Sequence, residues 1–155
     1  MRVFYPDIYI KTSAGLSPFP ATQELLKAAL DLGFTNLPYC ETGAKIEEQD
    51  GGSVVLANGA KVVYGKKVVG EIKNLEVTTA KYATMRLFNG VVCSIVFNES
   101  FASVGVIAPS GRAAQIQNVV AKVKLEGKAG DLFRITISFE KEGSLANVIE
   151  DYDLT

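Results

Sequence analysis

Val119 to Phe139 reads VVAKVKLEGKAGDLFRITISF, two alternating runs about one glycine-rich turn. Val119, Ala121, Val123 and Leu125 fall on one side of the first run, and Val120, Lys122, Lys124 and Glu126 on the other. Gly127-Lys128-Ala129-Gly130 is read as the turn. In the second run Phe133, Ile135, Ile137 and Phe139 point inward, while Arg134, Thr136, Ser138 and Glu140 point out. A period of two gives one buried and one wet face, the pattern of an antiparallel sheet.

The rest of the chain extends that reading. Val3 to Lys11 is a strand interrupted by Pro6, and Ser13 to Pro20 (SAGLSPFP) a loop. A helix follows, with Thr22 as N-cap, Glu24 in its first turn and Gly33 closing it. Its stripe of Leu25, Leu26, Ala29 and Leu30 requires a surface to lie on, which the sheet supplies. Phe34 to Gly52 has no period and is read as irregular. Val54 to Ala57 and Ala60 to Tyr64 flank Asn58-Gly59, the signature of a type I′ hairpin. Gly65-Lys66-Lys67 is read as a second turn, and Ile72 and Leu75 are out of phase, which predicts a bulge at Lys73 or Asn74.

Thr79 to Phe88 reads as a short helix stopped by Asn89-Gly90, with Tyr82, Met85 and Phe88 toward the core. Val91 to Phe97 is apolar on both faces and so a central strand. A shorter strand covers Ser103 to Ala108, then a loop at Pro109 to Arg112. Ser144 to Ile149 makes one helical turn before an acidic end. The sum is a mainly β chain: an antiparallel β-sandwich or barrel with one or two flanking short helices. It is read as one domain over residues 1–155, with an N-terminal strand, helix and loop arm in 1–52 and the β core in 53–155.

Composition narrows the chemistry. With 155 residues, 48% of them hydrophobic, the chain can bury a sizeable core. A net charge of −1 gives no electrostatic case for binding nucleic acid or an anionic membrane, and no run approaches a membrane span. No secretory signal pattern is read at the N-terminus, so folding in a cytoplasm is expected. Histidine is absent, which removes Ser-His-Asp and Cys-His catalysis and His-based zinc sites. Cys93, inside an apolar run, is read as a buried hydrophobe, and a disulfide to Cys40 is not expected in a reducing compartment. No enzyme activity, cofactor or metal is expected.

The remaining polar groupings have bland readings. Gly65-Lys66-Lys67 lacks the upstream glycine and following Ser or Thr of a phosphate loop. Glu47, Glu48 and Asp50 lack calcium-loop spacing and are read as solvated. Glu71 and Glu76 have an odd separation that puts them on opposite faces unless a bulge intervenes, against a glycosidase pair. The acidic end, Glu150, Asp151 and Asp153, is a frayed tail or an interaction arm, and Arg112 is a loop residue able to meet a partner. The tyrosines are scattered rather than interleaved with cations, so no single-strand platform is evident. Leu16, Phe19 and Phe101 are apolar residues in expected loops, which makes them interface candidates with Arg112, Asp151 and Asp153.

Ser53 to Tyr64 (SVVLANGAKVVY), Gly70 to Thr78 (GEIKNLEVT), the helix before Asn89-Gly90 and Val119 to Ile149 (ending FEKEGSLANVI) follow one another in a recognisable order. That order resembles virion structural proteins of tailed phages, particularly tail tube and neck proteins, over roughly the last two thirds of the chain. The resemblance implies a β-sandwich or barrel with a flanking helix, arms that bridge subunits, and no catalysis. It implies a homo-oligomer in contact with other virion proteins, assembled in the host cytoplasm and located in the virion. The early helix departs from a tube protein and leaves a tail-completion, stopper or capsid-decoration role open. The alternative from another class is a non-catalytic β-sandwich binding module.

Overall fold

A computed structural model describes residues 2–4, 7–37, 44–98, 101–103, 106–107 and 111–154. Along the chain run β1 (Arg2–Phe4), β2 (Asp7–Thr12), α1 (Gln23–Asp31), β3 (Thr35–Asn36), β4 (Ala44–Val55) and β5 (Lys61–Thr78). Then come α2 (Thr79–Met85), a 3-10 turn (Arg86–Phe88), β6 (Val92–Asn98), β7 (Phe101–Ser103), β8 (Val106–Ile107), β9 (Gly111–Ala129), β10 (Leu132–Glu142), α3 (Leu145–Val148) and β11 (Ile149–Leu154). The main sheet has the order β1-β4-β5-β10-β9-β6-β2-β3, and every pairing in it is antiparallel. Its outermost strands do not pair with one another, so it is an open sheet rather than a closed barrel. β11 joins the sheet beside the first half of β9, and β7 and β8 form a separate hairpin.

One face of the sheet encloses the main core. Ile8 and Ile10 of β2, Ile46 of β4, Ile72 and Leu75 of β5, Ile95 and Phe97 of β6, Ile116 and Val119 of β9, and Ile135 and Ile137 of β10 are all buried there. Met85 and Phe88 cover it from α2 and its 3-10 extension, and Tyr82 packs against it, stacked on Phe133 at 4.6 Å. On the opposite face α1 lies over β2, β6 and β9, where Leu26 and Leu30 meet Tyr9, Val96 and Ala113. The expected cap is present: the Thr22 hydroxyl accepts from the Leu25 N–H. Leu25 itself, read as part of the stripe, is exposed.

Bulges explain where the alternating pattern holds and where it breaks. β5 carries an extra residue between Ile72 and Leu75 opposite Ile137 and Ile135, at the Lys73–Asn74 position expected from the phase change. β9 carries one at Gln117–Asn118, where Asn118 takes φ +56. Ala114 and Ile116 before it and Val119 and Ala121 after it can therefore all face the core. A further slip sets in only after Leu125, opposite Arg134; Leu125 pairs with Ile135 in phase with Val123 and Ala121, on the side read from the alternation, and is exposed.

Several local readings are corrected. The turn after β9 is Gly130-Asp131, because strand pairing continues through Lys128 and Ala129. In the β4–β5 hairpin the Gly59 N–H donates to the Leu56 carbonyl, so Ala57 and Asn58 are the central turn residues and Gly59 follows at φ +85. That is a three-residue loop with a glycine bulge, not a type I′ turn on Asn58-Gly59. The acidic stretch Glu47 to Asp50 lies in β4, not in an irregular loop, and Gly65-Lys66-Lys67 lies within β5. Gly111 and Arg112 begin β9 instead of ending a loop, and the acidic end is β11, not a frayed tail. The stretch read as one strand from Ser103 to Ala108 has two short strands near it, β7 and β8, and Ala108 lies outside the described residues. Cys40 also lies outside them. Cys93 is buried and free, and burial raises its thiol pKa.

Candidate interaction site

The longest feature with no place in the core is the distal half of the β4–β5 hairpin. β10 pairs with β5 from Thr78 down to Lys67, and the Gly143 N–H closes on the Lys66 carbonyl. Beyond that point, among the described residues, the two strands pair only with each other, through Gly52↔Tyr64, Ser53↔Val63, Val54↔Val62 and Val55↔Lys61. Five further residues of each strand carry this arm roughly 17 Å past its last tie to the sheet. Val54, Leu56 and Val62 are 48%, 46% and 44% exposed, and Val55 is 69% exposed. Leu56 continues the ladder one residue past β4, its N–H donating to the Ala60 carbonyl; it lies two residues from Val54, and Val62 stands opposite Val54, so these three share a face. A two-stranded hairpin is marginal alone in water, and a contiguous apolar stripe on one marks a contact surface. Sequence reading found the hairpin but not its exposure. The available signal was apolar residues at consecutive positions beside a turn, too far along the strands for both faces to reach one core.

The expected interface residues take different places. Leu16 and Phe19 are half-buried against the α1 cluster, and Phe19 stacks on Tyr152 with ring centroids 4.0 Å apart and planes 3° from parallel. Arg112 and Asp153 are register partners between β9 and β11, and Asp151, opposite Ala114, is exposed. The structure thus gathers Phe19, Arg112, Asp151 and Asp153 around β11, while Phe101 sits apart in β7. The side chains of Phe101, Arg112 and Asp153 are outside the described residues.

The acidic groups weighed for chemistry have structural partners. Glu48 approaches Lys66 at 3.6 Å and accepts from the Leu145 N–H at 2.9 Å, at the start of α3. The β5 bulge lets Glu71 and Glu76 share the outer face, where Lys73 lies 3.1 Å from Glu71 and Arg134 lies 3.4 Å from Glu76. Such exposed pairs contribute little to stability. Among the described residues no group of three or more Cys, Asp or Glu side chains is placed to hold a metal ion. No described helix is long and apolar enough to cross a membrane. A shallow groove of about 300 Å³ crosses the outer face, with Val69, Val120, Lys45, Glu71, Lys122 and Glu140 among its lining residues.

A second polar cluster joins β9, β11 and the loop before α1. The Gln115 carboxamide accepts from the Leu16 N–H at 2.7 Å and donates to the Leu16 carbonyl at 3.0 Å. It also donates to Glu150 at 3.0 Å, and Gln117 donates to both Glu150 oxygens at 3.2 and 3.3 Å. The Tyr152 hydroxyl gives Glu150 another donor at 3.1 Å. Desolvation, and then the adjoining Glu150 carboxylate, raise the Tyr152 pKa. Lys141 caps the Gln117 carbonyl at 2.6 Å. Each amide thus replaces a strand partner that the loop backbone lacks.

No protein-family model and no curated protein matches the sequence. Among solved structures, the chain is similar to one in the virion of a native gene transfer agent particle, at 13% identity over 96% of each chain with a TM-score of 0.38. It is also similar to Hcp protein, at 11% identity over 95% of this chain and 98% of that one, with a TM-score of 0.32. Both likenesses are loose, and neither carries an assignment.

Proposed function

We propose that this protein is a self-assembling structural component of a tailed-phage virion, a tail tube or other tail or neck protein, acting through subunit contacts and without catalysis. The observation that carries the self-assembly is the hairpin arm, an apolar stripe on paired strands that no other described strand supports. Covering it with another copy removes the aggregation liability of the stripe and of the open strand edges beside it. A contact between an arm and a different surface of the next copy is head-to-tail, and such contacts close into rings or continue as filaments. The phage context comes from the order of hairpin, helix and paired long strands in the sequence.

Size-exclusion chromatography with light scattering, followed by negative-stain imaging, tests the proposal. Rings or tubes are expected as concentration rises. A monomer of 16.6 kDa at every concentration contradicts it. That result favours the second reading, a non-catalytic binding module using the outer groove between Lys45 and Lys122.

A further inference from the structure

The layer under α1 is a separate, smaller unit than the main core. Its buried apolar members are Tyr9, Leu26, Leu30, Val96 and Ala113, edged by Leu16, Phe19 and Phe34. Beneath the first turn of α1, Gln23 is only 2% exposed and neither of its amide atoms has a hydrogen-bond partner. The buried Nδ2 of Asn36 on β3 is likewise unpartnered. Unpaired buried amides destabilise the layer that holds them, so α1 grips the sheet weakly for its size.

The other end of the segment is clasped firmly. Gln115 is fully buried and holds both backbone groups of Leu16, the Gln117 side-chain Oε1 accepts from the Gly15 N–H at 3.3 Å, and the Ser94 hydroxyl donates to the Ser13 carbonyl at 2.6 Å. Gly15 suits this close approach, since a Cβ there would collide with the Gln115 side-chain oxygen. Both glutamines are oriented by one carboxylate, Glu150, and the Phe19 ring rests on Tyr152. Glu150 and Tyr152 belong to β11, a strand six residues long that, among the described residues, pairs with β9 alone.

We propose that β11 is the catch of a conformational latch: the Ser13–Phe34 segment, α1 included, stays on the sheet because β11 holds Gln115, Gln117 and Phe19 in place, and it opens as one unit when β11 lets go. Local opening of this kind draws on the parts of a fold with few apolar contacts and unsatisfied groups, while the main sheet stays closed. The latch gives the chain a second state in which Tyr9, Val96 and Ala113 are uncovered without loss of the β core.

Hydrogen exchange on the full-length protein tests this. Glu150→Ala removes the shared acceptor and is expected to speed exchange at the Leu16 amide and the α1 amides at least about tenfold, with β6 and β10 unchanged. Tyr152→Phe, which keeps the ring stack and loses one donor, is expected to give the same pattern more weakly. Gln23→Leu removes the unpaired amide and is expected to slow α1 exchange. Should exchange in Tyr152→Phe rise equally across β6 and β10, or α1 fail to respond to Glu150→Ala and Gln23→Leu, the segment is no separate unit and the latch is wrong. Circular dichroism of each variant establishes that the sheet is intact.

Discussion

Replacing Leu56 and Val62 together by serine separates an arm that makes contacts from one that is only decorative. The two side chains are 46% and 44% exposed, so about half of each remains to be covered by a neighbour. Complete burial of a Leu or Val side chain is worth about 1.5–3 kcal/mol, which leaves about 1 kcal/mol for each remaining half. The double variant should therefore lose about 2 kcal/mol per contact, close to a 30-fold weaker association at each interface. The monomer should be little changed, because substitutions at exposed positions away from the core alter stability by about 0.5 kcal/mol or less. Sedimentation velocity over a concentration series measures the first effect, and urea unfolding at low concentration measures the second. An unchanged association profile would refute the arm as the contact. Loss of the monomer fold would refute the claim that these side chains stand outside the core.

Gly70→Ala should destabilise the protein by about 1–3 kcal/mol in urea unfolding, because a Cβ there collides with the ring of Phe139 on the neighbouring strand, and unchanged stability would mean the ring moves freely. Gly59→Val should cost about 1 kcal/mol or more, since φ is +85 there; the surrounding space is open, so an unaltered melting temperature would contradict the backbone conformation rather than the packing. The raised Tyr152 pKa means the folded state favours the neutral phenol: that stability is present below the ordinary tyrosine value of about 10 and is lost as pH rises above it. Tyr152→Phe should flatten this alkaline decline in thermal melts, and an identical decline in the variant would assign it to other groups.

The parts of the fold that were legible in the sequence are those where one face is dry and the other wet. β10 alternates from Phe133 to Phe139 because its inward residues meet a single core. The bulge at Lys73–Asn74 was visible because Ile72 and Leu75 are both too apolar to sit outside. The bulge at Asn118 was not, since Gln115 and Gln117 interrupt the apolar alternation that begins at Val119 and leave the first half of β9 without a strand pattern. Gln115 is in fact fully buried, satisfied by a backbone about a hundred positions away in sequence, which no local pattern encodes. The acidic Glu47 to Asp50 stretch was missed for a related reason: its strand character comes from pairing with β5 while its side chains stay wet. Three of the interface candidates, Leu16, Phe19 and Phe101, stand out in the sequence as apolar residues in expected loops. For Leu16 and Phe19 the α1 layer and the Tyr152 stack account for that character within the subunit, whereas among the described residues no core cluster takes up the arm stripe.

The account rests on the arm of one copy meeting another copy, and a photo-activatable residue at position 56 tests this most directly. Illumination at concentrations where the protein associates should give covalent dimers and higher species, with the new bond mapped from position 56 to a peptide of a second, isotope-labelled copy. Abundant assembly with only intramolecular bonds from that position would contradict the account.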